Sequence, residues 1–171
     1  LYPVFKEAGM KVSMDVTGIS TSENWSLFYD RKRLSKTVDY MILMAYDQHW
    51  SNSPIAGSVS QYSWVEKSLL GVMKYIPNEK LILAVPFYSR LWIENDGKLS
   101  SKALSMETAN KFIMENDIEL IWDYESMQYY GEIDKDNTIY KIWLEDSKSL
   151  EMKASLIHKY NLAGIASWRK G

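Results

Sequence analysis

Apolar residues along this chain fall into two rhythms. Three stretches are almost continuously apolar or β-branched: 11–17 (KVSMDVT), 38–46 (VDYMILMAY) and 81–88 (LILAVPFY). Such runs predict strands covered on both faces, as in a parallel sheet. A shorter run, GIASW at 164–168, predicts a final strand. Between these runs the period lengthens to three or four. Residues 64–75 place Val65, Leu69, Val72 and Met73 on one side, and 147–160 do the same with Leu150, Ala154 and Ile157. Capping residues sharpen the helices. Asp30 predicts the start of a short helix over 31–37, Ser63 with Glu66 has capping-box spacing, and Asp146 opens the last helix. Pro77 closes one helix, and Asn161 with Gly164 ends the other. Residues 19–29 and 47–62 read as loops. The order β–α–β–α–β predicts parallel strands joined by right-handed crossovers.

The rhythm changes after residue 92. Residues 93–104 are polar around an Asn95-Asp96-Gly97 turn, and Ser105 predicts the cap of a helix over 106–116. Short aromatic strands follow at 118–122, 128–133 and 138–143, the last two joined by a turn at 134–137. The chain thus divides into 1–92, an α+β insertion at 93–143, and 144–171. Without the insertion roughly 120 residues remain, about four units of an eight-stranded βα barrel that runs to about 250. The predicted architecture is α/β: four strands of a half-barrel, or a small open sheet.

Composition narrows the chemistry. A chain of 171 residues that is 46% hydrophobic and 25% charged has enough apolar material for a core. The absence of an apolar run of about 18 residues argues against a membrane span. A net charge of −2 gives no footprint for nucleic acid. Zero Cys excludes disulfides and thiolate chemistry within these residues. Seven Trp and twelve Tyr remain to be explained. Amphipathic rings suit sugars, which present apolar faces and hydroxyl edges, and they equally suit an aromatic core. At the ends, Leu1 replaces a start Met, LYPVFKEAGM reads as a helix closing on Gly9, and the chain stops just after Trp168. A piece of a longer protein is expected.

Four segments, in order, resemble glycoside hydrolase family 18, the chitinase-like barrels. LMAYD (43–47) is similar to the Met-x-Tyr-Asp end of that family's sixth strand, and AVPFYSRLW (84–92) to the seventh, with Ser89 in place of a Gly. Residues 143–168 resemble the Asp-x-x-Ser-x-x-x-Lys stretch leading into the eighth strand, and GIASW that strand itself. The insertion falls where many members carry a small α+β subdomain. YDQHW (46–50) looks closest to the bacterial spore-cortex and cell-wall branch. The resemblance implies the C-terminal half of a TIM barrel, strands five to eight, with the insertion between strand seven and its helix. One element is missing. The family's Asp-x-x-Asp-x-Asp-x-Glu, whose Glu is the general acid, has no counterpart here: three residues after Asp15 stands Gly18, and after Asp47 stands Trp50. The resemblance places the acid upstream and implies that this segment alone is inactive.

The implied reaction is substrate-assisted retaining hydrolysis of β-linked N-acetylglucosamine polymers, peptidoglycan of cortex or wall, or chitin. This family is an exception to the two-carboxylate scheme, because the sugar's own acetamide attacks the anomeric carbon. By resemblance, Tyr46 donates to the acetamide oxygen, Asp47 bonds the acetamide or hydroxyls, Met44 packs beside them, and Trp168 floors the sugar. Arg90 is expected on a hydroxyl, with Gln48, Tyr88 and Trp92 as further contacts. Asp15, inside a strand, either faces the cleft or is paired structurally. The alternatives are ordinary burial for Tyr46 and Trp168, loop capping for Asp47, and a surface position for Arg90. His158 reads as solvated, and His49 alone makes no metal site; no metal or cofactor is expected. The expected partners are the polysaccharide and the N-terminal half of the barrel. Exposed edges at 11–17 and 164–168 predict self-association of the fragment. By resemblance the parent is secreted, or belongs to the cell envelope or spore. Two rival readings stay open: a non-catalytic chitinase-like sugar-binding protein, and an unrelated α/β domain whose aromatics are all core.

Overall fold

A computed structural model describes residues 2–20 and 23–169. Two sheets divide the chain. The first holds four parallel strands, β1 (Ser13–Thr17), β2 (Tyr40–Met44), β3 (Leu81–Pro86) and β9 (Gly164–Trp168), in the order β1-β2-β3-β9. Its register aligns Thr17, Met44, Ala84 and Ala166 in one rung and Pro86 with Trp168 two rungs further on. Side chains alternate across the sheet. Val16, Met41, Leu43, Leu81 and Leu83 form one face, packed against Val65, Leu69 and Val72 of α3 (Tyr62–Val72) and Leu156 of α5 (Ser147–Tyr160). Each fully buried aliphatic chain stabilises the fold by about 1.5–3 kcal/mol. Asp15, Ile42, Met44, Ile82, Ala84 and Ala166 occupy the opposite face.

The second sheet is antiparallel, in the order β5-β4-β8-β7-β6: β4 (Tyr88–Asn95), β5 (Lys98–Ser105), β6 (Leu120–Asp123), β7 (Gln128–Lys135) and β8 (Thr138–Leu144). Helix α4 (Met106–Glu115) lays Ala109 and Ile113 against Leu91, Ile142 and Leu144 of this sheet. The stretch read as polar around a turn, 93–104, is most of a hairpin. Strand β5 carries no alternating apolar pattern because it is an edge strand exposed along most of its length. Its turn, Asp96-Gly97, has both φ angles positive, the geometry of a tight hairpin. The sheets part at Phe87, so Tyr88, Arg90 and Trp92 stand on the second sheet and not at the end of a first-sheet strand. Asp136 and Asn137, also at positive φ, close the β7–β8 hairpin.

Capping follows the sequence except at α3. After a first helix, α1 (Tyr2–Glu7), the Asp30 carboxylate opens the short helix α2 (Arg31–Thr37) by accepting from the Arg33 N–H at 3.0 Å, and Asp146 with Ser149 forms a capping box on α5. Helix α3 instead begins at Tyr62 with Gln61 as an N-cap that makes no side-chain cap bond. Ser63 and Glu66 are used elsewhere. The Tyr62 N–H donates to the Ser126 carbonyl in the turn between β6 and β7, which pulls the helix start forward. Glu66 accepts from Lys159 and Tyr160 of α5, each at 2.8 Å. Residues 23–27, expected as loop, form a π-helical turn.

Candidate functional site

The carboxyl ends of the four parallel strands share one edge of the first sheet, where βα folds place their chemistry. Tyr46 follows β2 by two residues, on the face of Met44, and the Ala45 N–H donates to the Ala84 carbonyl at 3.0 Å, so the strand's course persists to its neighbour. Trp168 ends β9. Their rings lie nearly parallel, 14° apart, with centroids 6.4 Å apart. Trp168 remains 52% exposed, leaving indole surface for a ligand. Burial, then the charges of Asp15 and Asp47, push the Tyr46 phenol above its ordinary pKa, so it stays a proton donor through neutral pH.

Asp47 adopts the left-handed conformation, φ 58°, which turns the chain out of the strand. Its carboxylate accepts from the Tyr88 hydroxyl at 2.5 Å, a bond that crosses between the two sheets. Burial first, and then this bond, push the Tyr88 phenol upward, opposed by the nearby Arg90 cation. Arg90 itself donates to Ser101 Oγ at 3.0 Å, and its Nε is buried without a partner among the described residues.

A cavity of about 550 Å³ opens beside Tyr46, within the range of small-ligand sites. Met44, Tyr46, Asp47 and Gln48 line it from β2 and its loop. The remaining wall holds three indoles, Trp25, Trp50 and Trp64. None of these was singled out as a ligand contact from the sequence. Trp25 and Trp64 sit on helical segments where an aromatic reads equally as packing, and only the abundance of Trp signalled such a wall.

The structure separates the other expected residues. Asp15 is exposed on the open sheet face, so the partner expected for a buried carboxylate is not needed, and its charge reaches Tyr46. Gln48 lines the cavity while bracing its loop: its side-chain oxygen accepts from the Gln61 N–H and its amide donates to Gln61 Oε1. Trp92 corrects the expectation of a sugar contact. It is 1% exposed and its indole N–H donates to the Gly57 carbonyl at 2.8 Å, so it anchors the 47–61 loop and offers no free face. His49 Nδ1 lies 2.8 Å from the Ser58 carbonyl, and its ring fills the space a Cβ on Gly57 would need. His158 is exposed. Among the described residues no three His, Asp or Glu converge as for a metal, and no helix is long and apolar enough to cross a membrane.

Parallel strands whose carboxyl ends pair a phenol with an indole, the phenol lining an indole-walled cavity, define an α/β protein with an aromatic cleft at its strand ends. The family is specific. Residues 5–171 match the glycosyl hydrolases family 18, and the chain belongs to that family. It is 24% identical over 174 residues to the cortical fragment-lytic enzyme of Bacillus subtilis, covering 98% of this chain and 40% of that protein. Among solved structures it is similar to a chitinase from Chromobacterium violaceum, with a TM-score of 0.87 and 21% identity over 99% of this chain and 54% of the other. It also resembles the spore cortex-lytic enzyme SleL of Bacillus megaterium, with a TM-score of 0.86 and 19% identity over 98% and 39%. The chain spans about two-fifths of the curated relatives it matches.

Proposed function

We propose that this chain is the C-terminal half of a family 18 barrel, β1, β2, β3 and β9 serving as strands five to eight and the second sheet with α4 as the insertion. The intact parent hydrolyses β-linked N-acetylglucosamine polymers by substrate-assisted retaining catalysis. The observation that carries this reading is the pairing at the strand ends of Tyr46, which lines the cavity, with Trp168. Trp168 stacks on the sugar ring at the cleavage point. The Tyr46 hydroxyl donates to the acetamide oxygen, holding it so that this oxygen attacks the anomeric carbon from below. Asp47, held in place by the Tyr88 hydroxyl, supports the positive charge that spreads through the acetamide as the ring closes. One such preorganised donor contributes about 3 kcal/mol in the transition state. Protonation of the leaving oxygen falls to a Glu carried on the preceding half, so this chain alone does not turn over. β1 and β9 each pair with a single strand, and in isolation their free edges recruit a second copy.

The name of one relative, a cortical fragment-lytic enzyme, supports cortex peptidoglycan as the polymer, and the similarity to chitinases supports chitin. The test is release of reducing ends by the full-length parent from each polymer. Release from either supports hydrolysis and chooses the substrate. Binding without release from both would replace this reading with that of a chitinase-like sugar-binding protein.

A further inference from the structure

The Asp146-x-x-Ser149-x-x-x-Lys153 stretch plays no part in the proposed chemistry, yet it borders the most deeply buried charged groups of the fold. Glu145 and Lys153, each 1% exposed, form an ion pair within the packing between the two sheets and α5. Further contacts of the Glu145 residue run to α5, to β7 and to β4. Ser149 donates to Glu145 Oε2 at 2.8 Å, and the Gln128 amide donates to Oε1 at 2.8 Å. Gln128 is fully buried, and its oxygen accepts from the hydroxyl of Ser58. Ser58 lies on the loop after β2, where its carbonyl holds His49, while Val59 accepts from the Gln48 N–H. From the other side the Glu145 N–H donates to Ser89 Oγ at 2.7 Å, one residue from Tyr88.

We infer that the buried Glu145–Lys153 pair is a positioning element for the sugar site, setting through Gln128–Ser58 and through Ser89 the distance at which Asp47 meets Tyr88. The inference rests on the proposed hydrolysis for its kinetic meaning and on geometry alone for the anchoring. Asp47 and Tyr88 approach from different sheets, and their bond at 2.5 Å tolerates little relative movement. A buried polar network that is fully satisfied allows one arrangement of its members. Carboxylate misplacement by about 1 Å in an active site can cost on the order of 100-fold in rate.

Removing one member of the pair would strand the other in the core, so the test cuts the arm instead. In the full-length parent, Ser58→Ala severs the loop from Gln128, and Gln128→Met severs it from the other end. Two readouts follow: kcat against KM, and hydrogen exchange of the Trp92 indole N–H, which reports loop docking on Gly57. Both variants are expected to lower kcat at least 10-fold with KM changed less than threefold, and to speed the indole exchange at least 10-fold. Assays run well below each variant's melting temperature, so loss of stability alone leaves kcat unmoved. Unchanged kcat and exchange in a folded variant overturn the inference, as does failure of both variants to fold, which would make the network plain core. A wild-type parent without activity defeats the proposed hydrolysis, while indole exchange still decides the anchoring.

Discussion

The hydroxyl of Tyr88 and the carboxylate of Asp47 meet at 2.5 Å although they belong to different sheets. Asp47 reaches this position only because it turns out of β2 in the left-handed conformation, and Tyr88 only because the chain changes sheets at Phe87. The Phe87 N–H, in turn, donates to the Trp168 carbonyl at 2.6 Å. A single short crossing therefore ties the acid, the phenol and the indole together.

Replacing Tyr88 by Phe removes the one side-chain donor bonded to Asp47 among the described residues. In the parent the expected loss is about 10-fold in kcat, equivalent to about 1.4 kcal/mol, with the fold intact. Steady-state kinetics and circular dichroism check it; a variant with unaltered kcat would detach the Asp47–Tyr88 bond from catalysis.

Tyr46→Phe keeps the ring beside Trp168 and deletes the donor. The parent should lose roughly 100-fold in kcat, about 3 kcal/mol of transition-state stabilisation, while binding of an unhydrolysed oligosaccharide changes little. Calorimetry of binding beside turnover separates the two effects. Near-normal kcat would remove Tyr46 from the mechanism.

Gly57→Ala tests how the loop is held. A Cβ there would stand 2.4 Å from the His49 ring, which is itself tied to Ser58. Overpacking of this kind costs about 1–3 kcal/mol. At about 2–4 °C per kcal/mol for a domain of this size, thermal unfolding should shift down by several degrees. No shift would mean that the His49 ring moves aside freely.

Acid stability should depend on Asp39. The Val12 N–H and then the Lys6 ammonium hold its carboxyl down at about 2. An unfolded Asp titrates near ~3.9, so between these values the unfolded chain binds more protons and stability rises with pH. The contribution is complete above about pH 4 and disappears as pH falls through about 2. Asp39→Asn should flatten the melting temperature over that window; an unchanged pH profile would place the acid sensitivity elsewhere.

Much of this was legible in the chain. Unbroken runs such as MILMAY mark the parallel strands, and period-four spacing marks the helices that cover one face of them; the other face, which carries the exposed Asp15, stays open where cover on both was expected. Asp30 and Asp146 start helices by bonds reaching three residues along, which local sequence encodes. Family motifs marked Tyr46, Asp47 and Trp168, and those three do gather at one edge. Where local sequence misled, a distant partner intervened. Ser63 and Glu66 read as a capping box, but Ser126 moved the start of α3 and α5 claimed Glu66. Strand β5 gave no strand signal beyond its turn, because an edge strand needs no apolar alternation, only a neighbour to bond. The seven indoles were alike on paper. Whether one stays exposed at a strand end, as Trp168 does, or becomes a buried anchor, as Trp92 does, depends on which partners the fold brings beside it. Periodicity is a property of neighbours a few residues apart; sheet order and burial arise from contacts tens of residues apart, and those alone assembled the site.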